Sequence, residues 1–337
     1  MERIKKIFQW LLPLLLGLLL FWLVFRKMDF ASMKEIISQG LRWEWIAVYV
    51  LLFLLPMILR GLRWQQLLDE ASPGARVGHT ILSVFVAYGA NLIFPRIGEV
   101  ARCGLLKKHD GISFTKSLGS VVTERVFDII CLLLMALAAV LLQMDVFRQF
   151  FVENPDSAQK ISALLLSWKP WLAVIVFVIL AVLAFRFLKT KAIYQKVKNT
   201  LKQLWEGMLS IRGLKHPGLF IFYTIAIWAL YFLSFYVGKF FFNVPLELGL
   251  LAMFTAHIMG SFGIVAPVQG GIGAWHFMVI FTMGFYGISQ SYAGTFALTV
   301  HGLNTLLTIV CGLLAYLWIS LDKSSVKKTQ ASEESLD

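Results

Sequence analysis

The sequence predicts an all-α polytopic membrane protein with about six to eight transmembrane helices, two broken or re-entrant helical hairpins and a possible inverted repeat. Apolar residues make up 58% of the 337 positions and charged residues only 15%, against about 25% charged in an ordinary soluble domain. Mean hydropathy is +0.75. The apolar residues also gather into runs long enough to cross a bilayer, which takes roughly 20 helical residues. These observations exclude a soluble globular domain.

The apolar runs follow one another along the whole chain. They lie at 7–25, 43–59, 77–94, 126–143, 170–188, 218–241, 248–266, 274–288 and 292–320. The first run is too long for a secretory signal, contains Pro13 and ends without a small-residue cleavage pattern, so it predicts an uncleaved anchor. Residues 144–169 carry mixed charge and predict an external loop. We expect residues 1–322 to form a single integral membrane domain.

Positive charge predicts the topology. Lys and Arg outnumber Asp and Glu by 31 to 19, and in a membrane chain such an excess indicates cytoplasmic loops before it indicates a nucleic-acid partner. Residues 189–215 hold seven Lys or Arg against Glu206 alone, so this loop is expected in the cytoplasm. Its apolar stripe predicts an amphipathic helix that lies on anionic head groups or packs on the protein. The polar tail 323–337, and both termini, are then cytoplasmic.

That topology requires one apolar run to turn back. Residues 77–106 are predicted to enter from the cytoplasm, break at Phe94–Pro95 and return, because Pro95 lacks a backbone donor and Gly98 weakens the next turn. A similar break at 267–273 would enter from the opposite side. Interrupted segments in two halves of a chain are typical of transporters built from inverted repeats. Two unrelated kinks are the alternative.

Six charges lie in or beside apolar runs around the first break, and each would cost about 2.5–3.5 kcal/mol at the bilayer centre. They are Arg96, Glu99, Arg102, Glu124, Arg125 and Asp128. In one interpretation, the six charges neutralise one another and form a polar cluster that pins the hairpin to the next helix. In the other, the arginines hold a phosphate or another anionic head group, and the carboxylates orient them or carry protons.

The second break offers another candidate site. Gly270, Gly271 and Gly273 precede a possible helix start, where free amides and the helix dipole favour an anion, and His276 could titrate near neutral pH. These glycines could equally serve helix packing. No nucleotide-binding loop, metal motif or hydrolase motif is present in the sequence, so neither a cofactor nor a metal is predicted. The three cysteines have no paired spacing and predict neither a disulfide framework nor a zinc site.

The ordered motifs resemble the flippase-like family of lysylphosphatidylglycerol synthase transmembrane regions. They are Asn91-Leu-Ile-Phe-Pro95-Arg96-Ile-Gly98-Glu99-Val-Ala-Arg102, then Glu124-Arg125-Val-Phe-Asp128, then Gly270-Gly271-Ile-Gly273. Gln269 stands where the family has Pro, and His276 where it has Glu. The resemblance implies a bacterial inner-membrane protein related to the domain that moves aminoacylated phospholipid between leaflets. The soluble transferase part of the two-part synthases is not seen, so lysine transfer to lipid is not expected.

The functional expectation is a lipid transporter, flippase-like or scramblase-like, that moves an anionic or phosphate-bearing head group through a central polar cavity. Its expected partners are membrane lipids, either phospholipid or polyprenyl-phosphate-linked, and no nucleic acid. An integral-membrane enzyme acting on lipid-linked phosphate or sugar is one alternative, with Glu99 or Asp128 as base. An accessory subunit that positions a partner synthase is the other.

Overall fold

A computed structural model describes residues 2–144 and 210–322 apart from Lys27 and Pro245, with a few isolated positions between the two ranges. This part of the chain forms ten α-helices and no β-strand, as the sequence predicts. The helices are α1 (Glu2–Phe25), α2 (Phe30–Ser38), α3 (Trp43–Ala71), α4 (Val77–Ile93), α5 (Ile97–Asp110), α6 (Phe114–Leu142), α7 (Pro217–Val237), α8 (Leu250–Val265), α9 (Ala274–Phe285) and α10 (Gln290–Leu321). The predictions for 145–209 and for the tail 323–337 lie outside the described residues.

Within the described residues, four helical segments are long and apolar enough to cross a membrane: α3, α6, α7 with the turn that follows it, and α10. Both α3 and α6 have 29 residues, or about 44 Å at 1.5 Å per residue. α3 continues to Ala71 beyond the apolar run 43–59, and α6 begins at Phe114, before the run 126–143. Most of the buried charged side chains among the described residues lie in these two extensions.

One end of the helix bundle is defined by contacts around Asp322, which follows α10. Arg76, just before α4, places Nε 2.7 Å from Asp110 and Nη1 2.6 Å from Asp322. His79 bridges the same two carboxylates at 3.0 Å each. The backbone N–H of Ser113 donates to Ser72 Oγ. We call this the Asp322 end; α3, α5 and α10 finish there, and α4 and α6 begin there.

The opposite end is defined by Gln143, which follows α6. Its amide nitrogen donates to the carbonyl of Leu251 at 2.9 Å, and Tyr286, just after α9, donates its hydroxyl to Gln143 Oε1 at 2.8 Å. A backbone bridge between Leu41 and Phe242 joins the start of α3 to the segment after α7. This is the Gln143 end, where α8 enters and α9 leaves.

The first hairpin consists of α4 and α5, joined by Phe94–Arg96 and open at the Asp322 end. Its two arms touch near the tip because Gly98 has no side chain: a β-carbon there would lie 2.1 Å from the carbonyl oxygen of Ala87. Asn91 Oδ1 accepts a 2.7 Å hydrogen bond from the Gly98 N–H and so satisfies a free amide at the start of α5. The break therefore lies where the sequence predicts it.

The second hairpin consists of α8 and α9, joined by residues 266–273 and open at the Gln143 end. Gly263 permits its close packing, since a β-carbon there would lie 2.8 Å from Trp275 Cα. The two tips meet: a β-carbon on Gly270 would lie 2.6 Å from the Leu92 side chain, and Arg96 Nη2 lies 3.5 Å from the Val265 carbonyl oxygen. The hairpins thus enter from opposite ends and touch at their tips.

Candidate functional site

Glu124 lies at the centre of a buried arginine network, and its side chain is 0% exposed. Its Oε1 lies 2.5 Å from Arg60 Nη2 and 3.1 Å from Arg63 Nη2, while its Oε2 lies 2.8 Å from Arg102 Nη2. One turn later, Asp128 lies 2.8 Å from Arg60 and 2.7 Å from Arg63. Three helices, α3, α5 and α6, are therefore held together by charge-assisted contacts between buried side chains.

The helical spacing places these groups on facing surfaces. Arg60 and Arg63 are three apart on α3, whereas Glu124 and Asp128 are four apart on α6, so each pair lies along one face of its helix. Aligned in this way, each arginine of α3 reaches both carboxylates of α6.

Neighbouring side chains fix the arginines in position. The guanidinium of Arg102 lies 4.3 Å from the ring centroid of Trp64, and the Trp64 N–H donates to Ser120 Oγ at 2.9 Å. Arg63 Nη1 donates to Thr224 Oγ1 on α7 at 3.1 Å. A cation over a desolvated tryptophan face gains about 2 kcal/mol, which supports the buried guanidinium of Arg102.

Arg125 is held more loosely than the other three arginines. Its Nε lies 3.4 Å from Glu99 Oε1 and its Nη1 lies 3.5 Å from Asp128 Oδ2. The Arg125 side chain is 38% exposed and that of Glu99 is 21% exposed, whereas those of Arg60, Arg63 and Arg102 are at most 3% exposed. Arg125 is therefore the member of the network that an incoming group can reach.

The network carries an excess of positive charge. Four arginines, the last being Arg125, face the three carboxylates of Glu99, Glu124 and Asp128, which leaves a net charge of +1. The Nε atoms of the three buried arginines also have no hydrogen-bond partner among the described residues. Buried donors without partners are costly. The site is thus suited to one additional anion.

The network lies well inside α3 and α6, nearer to the Asp322 end than to the Gln143 end of each helix. Glu124 is ten residues from the start of α6 at Phe114, and Arg60 is eleven residues from the end of α3 at Ala71. At 1.5 Å per residue both are about 15–17 Å from the Asp322 end of helices that are about 44 Å long.

The structure joins five of the six charges grouped by sequence, and adds two that sequence reasoning missed. Arg96 stands apart at the tip of the first hairpin, next to Pro95, where its Nη2 donates to the Val265 carbonyl oxygen at 3.5 Å. Arg60 and Arg63 were missed because they follow the apolar run 43–59. The sequence does contain an indication that these arginines are buried, since Trp64, Leu67 and Leu68 continue the helical apolar pattern beyond them.

The residues predicted around the second break do not join this network. A β-carbon on Gly273 would lie 2.6 Å from the backbone nitrogen of Phe21, so α1 covers the start of α9. His276 is 2% exposed, packs edge-on against Phe21 and Phe25, and its Nδ1 accepts from the Gly273 N–H at 3.4 Å. The described residues show no ion pair from His276 to the arginines.

Other features of the second break support a packing role. Gly270 and Gly271 have φ values of 56° and 76°, a conformation that favours glycine. The Gly270 carbonyl lies 3.0 Å from His301 Nε2. The described residues contain no group of three or more His, Cys, Asp or Glu placed to hold a metal ion.

Membrane-capable helices, two opposed hairpins and a buried charged network define a multi-pass helical membrane protein. Residues 10–312 match the family described as Lysylphosphatidylglycerol synthase TM region, and the chain belongs to that family. The chain is also similar to Glycosyltransferase AglD of Haloferax volcanii, with 28% identity over 86 residues, which are 25% of this chain and 14% of that protein. No solved structure matches the chain.

Proposed function

We propose that the protein moves a lipid with a phosphate-bearing head group across the bacterial inner membrane, and that Arg125 is the group that receives the phosphate. The supporting observation is the excess charge of +1 in a buried network of which Arg125 alone is substantially exposed. A buried uncompensated charge is expensive in a membrane. A phosphate that reaches Arg125 neutralises this excess.

The contacts of Arg125 favour exchange of one anion for another. Its distances of 3.4 Å to Glu99 and 3.5 Å to Asp128 are long for charge-assisted hydrogen bonds, which are typically about 2.7–2.9 Å. A phosphate that accepts two N–H groups in fork geometry makes shorter bonds. Arg60 and Arg63 meanwhile stay on Glu124, so the framework of the site is kept while Arg125 changes partner.

The two hairpins supply the proposed path. We propose that both are re-entrant in the membrane and that their touching tips, at Arg96 and Gly270, separate the two aqueous sides. The Asp322 end is proposed to face the cytoplasm. It carries exposed basic residues at Lys107, Lys108 and Lys116, and positive charge concentrates on the cytoplasmic side of membrane proteins. Because no ATP-binding loop is found in the sequence, transport is proposed to be downhill or ion-coupled.

Transport can be tested with the purified protein in liposomes. Fluorescent phosphatidylglycerol or a labelled polyprenyl phosphate is placed in both leaflets, and its accessibility to an external quencher is followed with and without a proton gradient. We expect the native protein to move at least one of these lipids. Loss of a charge-assisted hydrogen bond costs about 1.5–3 kcal/mol, so Arg125→Gln is expected to slow movement by about tenfold or more.

Lys116→Gln is the matched control for that measurement, because Lys116 is an exposed cation of the same helix that lies outside the network. We expect its transport rate to equal that of the native protein. If every labelled lipid stays in its starting leaflet, the proposal of transport fails. If Arg125→Gln and Lys116→Gln are both as fast as the native protein, the role of Arg125 fails.

An enzyme is the second candidate, and the similarity to a protein named a glycosyltransferase favours it. Glu99 Oε2 is buried without a hydrogen-bond partner among the described residues, which suits a base that acts on lipid-linked phosphate or sugar. Incubation with labelled lipid-linked sugar followed by chromatography tests this. New product that is lost in Glu99→Gln would favour the enzyme. An accessory role with a partner synthase would instead appear as co-purification of that synthase.

A further inference from the structure

A histidine lies between two carboxylates at the Asp322 end. Nδ1 of His79, in the first turn of α4, lies 3.0 Å from Oδ1 of Asp110, the last residue of α5. Its Nε2 lies 3.0 Å from Oδ2 of Asp322, which directly follows α10. Arg76 contacts the same two carboxylates at 2.7 and 2.6 Å. We call Arg76, His79, Asp110 and Asp322 the His79 cluster; it joins both arms of the first hairpin to the end of α10.

The geometry of the His79 cluster suits a protonated imidazole. A neutral imidazole has one N–H donor and one acceptor, whereas the imidazolium has two donors. An ionised carboxylate only accepts, and the short contacts with Arg76 are those of charge-assisted hydrogen bonds to ionised carboxylates. Neutral His79 would therefore leave one ring nitrogen facing a carboxylate oxygen with no proton between them. The cation, in contrast, hydrogen-bonds to Asp110 and Asp322 together.

The net charge of the cluster also depends on His79. When His79 is protonated, the two cations of the cluster match its two carboxylates, and the sum is zero. When His79 is neutral, Arg76 alone faces Asp110 and Asp322, and the sum is −1. The side chains of His79 and Asp110 are 7% and 2% exposed, so salt screens their interaction poorly. Loss of the proton therefore removes an attraction and leaves a negative charge uncompensated.

The other ionisable groups around His79 occupy different positions. The ring of His109 on α5 lies edge-on to the ring of His79, with centroids 5.9 Å apart, and its Nε2 is buried without a hydrogen-bond partner among the described residues. Asp69 on α3, and Lys107 and Lys108 on α5, are exposed. Among the described histidines, His79 is therefore the one whose ring bridges two carboxylates.

The cluster holds a part of α10 that also contacts α4 deeper in the bundle. The two helices approach closely at Gly312 and Gly89, since a β-carbon on Gly312 would lie 3.3 Å from Gly89 Cα. Along each helix the cluster lies ten residues from this approach (79 to 89 and 312 to 322), or about 15 Å. In lipid, apolar contacts between helices gain little over contacts with acyl chains. The polar contacts of the cluster are therefore important for holding residues 313–322 against α4.

We propose that His79 makes this end of the protein sensitive to pH: the cation holds the end of α10 against the open end of the first hairpin, and the neutral imidazole releases it. Histidine changes charge between about pH 5 and pH 8. The stabilising contact is therefore present at the low end of this range and is lost as the pH rises. This inference goes beyond the proposed function, because it concerns the position of α10 whichever molecule the protein moves.

Hydrogen exchange of the purified protein in detergent tests the proposal. Protection factors of amides 313–322, which correct for the pH dependence of chemical exchange, are compared at about pH 5.5 and about pH 8. We expect protection in the native protein to fall by at least about tenfold at the higher pH, because one charge-assisted hydrogen bond is lost. His79→Gln is expected to give the low value at both pH values, because glutamine carries no charge.

Asp322→Asn is expected to have the opposite effect and to give the high value at both pH values. The amide of this variant supplies an N–H that donates to Nε2 of neutral His79, and the substitution removes the uncompensated negative charge. Opposite shifts in the two variants separate an effect of protonation from a general loss of structure. His216→Gln is the control, since His216 is an exposed histidine just before α7, and it is expected to behave as the native protein.

Three results would overturn the inference. The first is native protection that is equal at both pH values, or a pH dependence that persists in His79→Gln. The second is a pH dependence that is lost in His109→Gln, which would assign the effect to His109. The third is low protection of Asp322→Asn at both pH values, which would show that the contact depends on the ion pair with Arg76 and not on the charge of His79. Lipid movement does not enter this measurement, so its outcome is independent of the transport test.

Discussion

Gly98 and Ala87 lie so close together that a β-carbon on residue 98 would stand 2.1 Å from the Ala87 carbonyl oxygen. Both residues belong to helices near the tip of the first hairpin, so neither backbone can move without displacing an arm. The same approach allows Asn91 Oδ1 to accept the Gly98 N–H. Glu99 follows directly in sequence, so the approach also fixes the height of that carboxylate beside Arg125.

We therefore expect Gly98→Ala to spread the hairpin and to lower the free energy of unfolding by about 1–3 kcal/mol, the usual cost of overpacking. Thermal unfolding in detergent measures the loss. Gly104→Ala is the control on the same helix, because a β-carbon at Gly104 meets nothing within 4 Å. Alanine favours helix over glycine by about 1 kcal/mol, so the control should be as stable as the native chain or more so. If the Gly98→Ala and Gly104→Ala proteins have equal melting temperatures, the close contact between Gly98 and Ala87 is refuted.

Glu124 and Glu99 are predicted to differ sharply in their importance for stability. Glu124→Gln removes the charge that faces three buried arginines, and breaking a buried ion pair typically costs about 3–5 kcal/mol. Glu99→Gln affects a partly exposed pair at 3.4 Å, which we expect to cost about 1 kcal/mol or less. The amount of folded protein recovered from membranes and its melting temperature compare the two. A Glu124→Gln protein as stable as Glu99→Gln would show that the network does not hold the helices together.

The sequence predicted the breaks better than it predicted the charged site. A proline in an apolar run is a local signal, and both breaks lie between helices as expected. Pro95 with Gly98 and Pro267 with Gly270 have the same Pro-x-x-Gly spacing, yet the two breaks differ in conformation. Gly98 is helical, whereas Gly270 has φ 56°, and in the first break the left-handed residue is Arg96 with φ 63°. Similar spacing therefore produced two different turns.

The charged site was only partly predictable because its partners come from distant positions. Arg102 and Glu124 stand out in sequence, since each is a charge within reach of apolar neighbours. Arg60 and Arg63 fall just after an apolar run and have the pattern of an ordinary helix end. Only the packing of α3 against α6 shows that they are buried, with side chains at most 3% exposed. The resulting charge of +1 could not be obtained from local spacing.

Arg96 allows a test of backbone strain at the first tip. It has φ 63° and ψ 9°, a conformation that costs a side-chain-bearing residue about 1–2 kcal/mol. Its side chain is exposed, so Arg96→Gly loses little packing and is expected to be at least as stable as the native protein. Arg96→Val places a β-branched residue in the same conformation and should lower stability by about 1 kcal/mol or more. If the Arg96→Val protein has a higher melting temperature than the Arg96→Gly protein, the backbone at residue 96 is not strained.

The last prediction concerns the side of the membrane on which the first hairpin opens. Lys108 near the end of α5 and Lys116 near the start of α6 are both exposed at the Asp322 end, whereas Lys34 on α2 is exposed near the Gln143 end. Lys108→Cys, Lys116→Cys and Lys34→Cys are made singly in a chain whose Cys103, Cys131 and Cys311 are replaced by alanine.

A thiol reagent that cannot cross the membrane is then applied to intact cells and to inverted vesicles. We expect Lys108→Cys and Lys116→Cys to react only in inverted vesicles, and Lys34→Cys to react in intact cells. The reason is that α4 and α5 return to the same end, where Arg76 contacts Asp110 at 2.7 Å. If the cysteine at 108 reacts from the same side as the cysteine at 34, the hairpin crosses the membrane instead of re-entering it. The proposed path between two opposed tips would then be wrong.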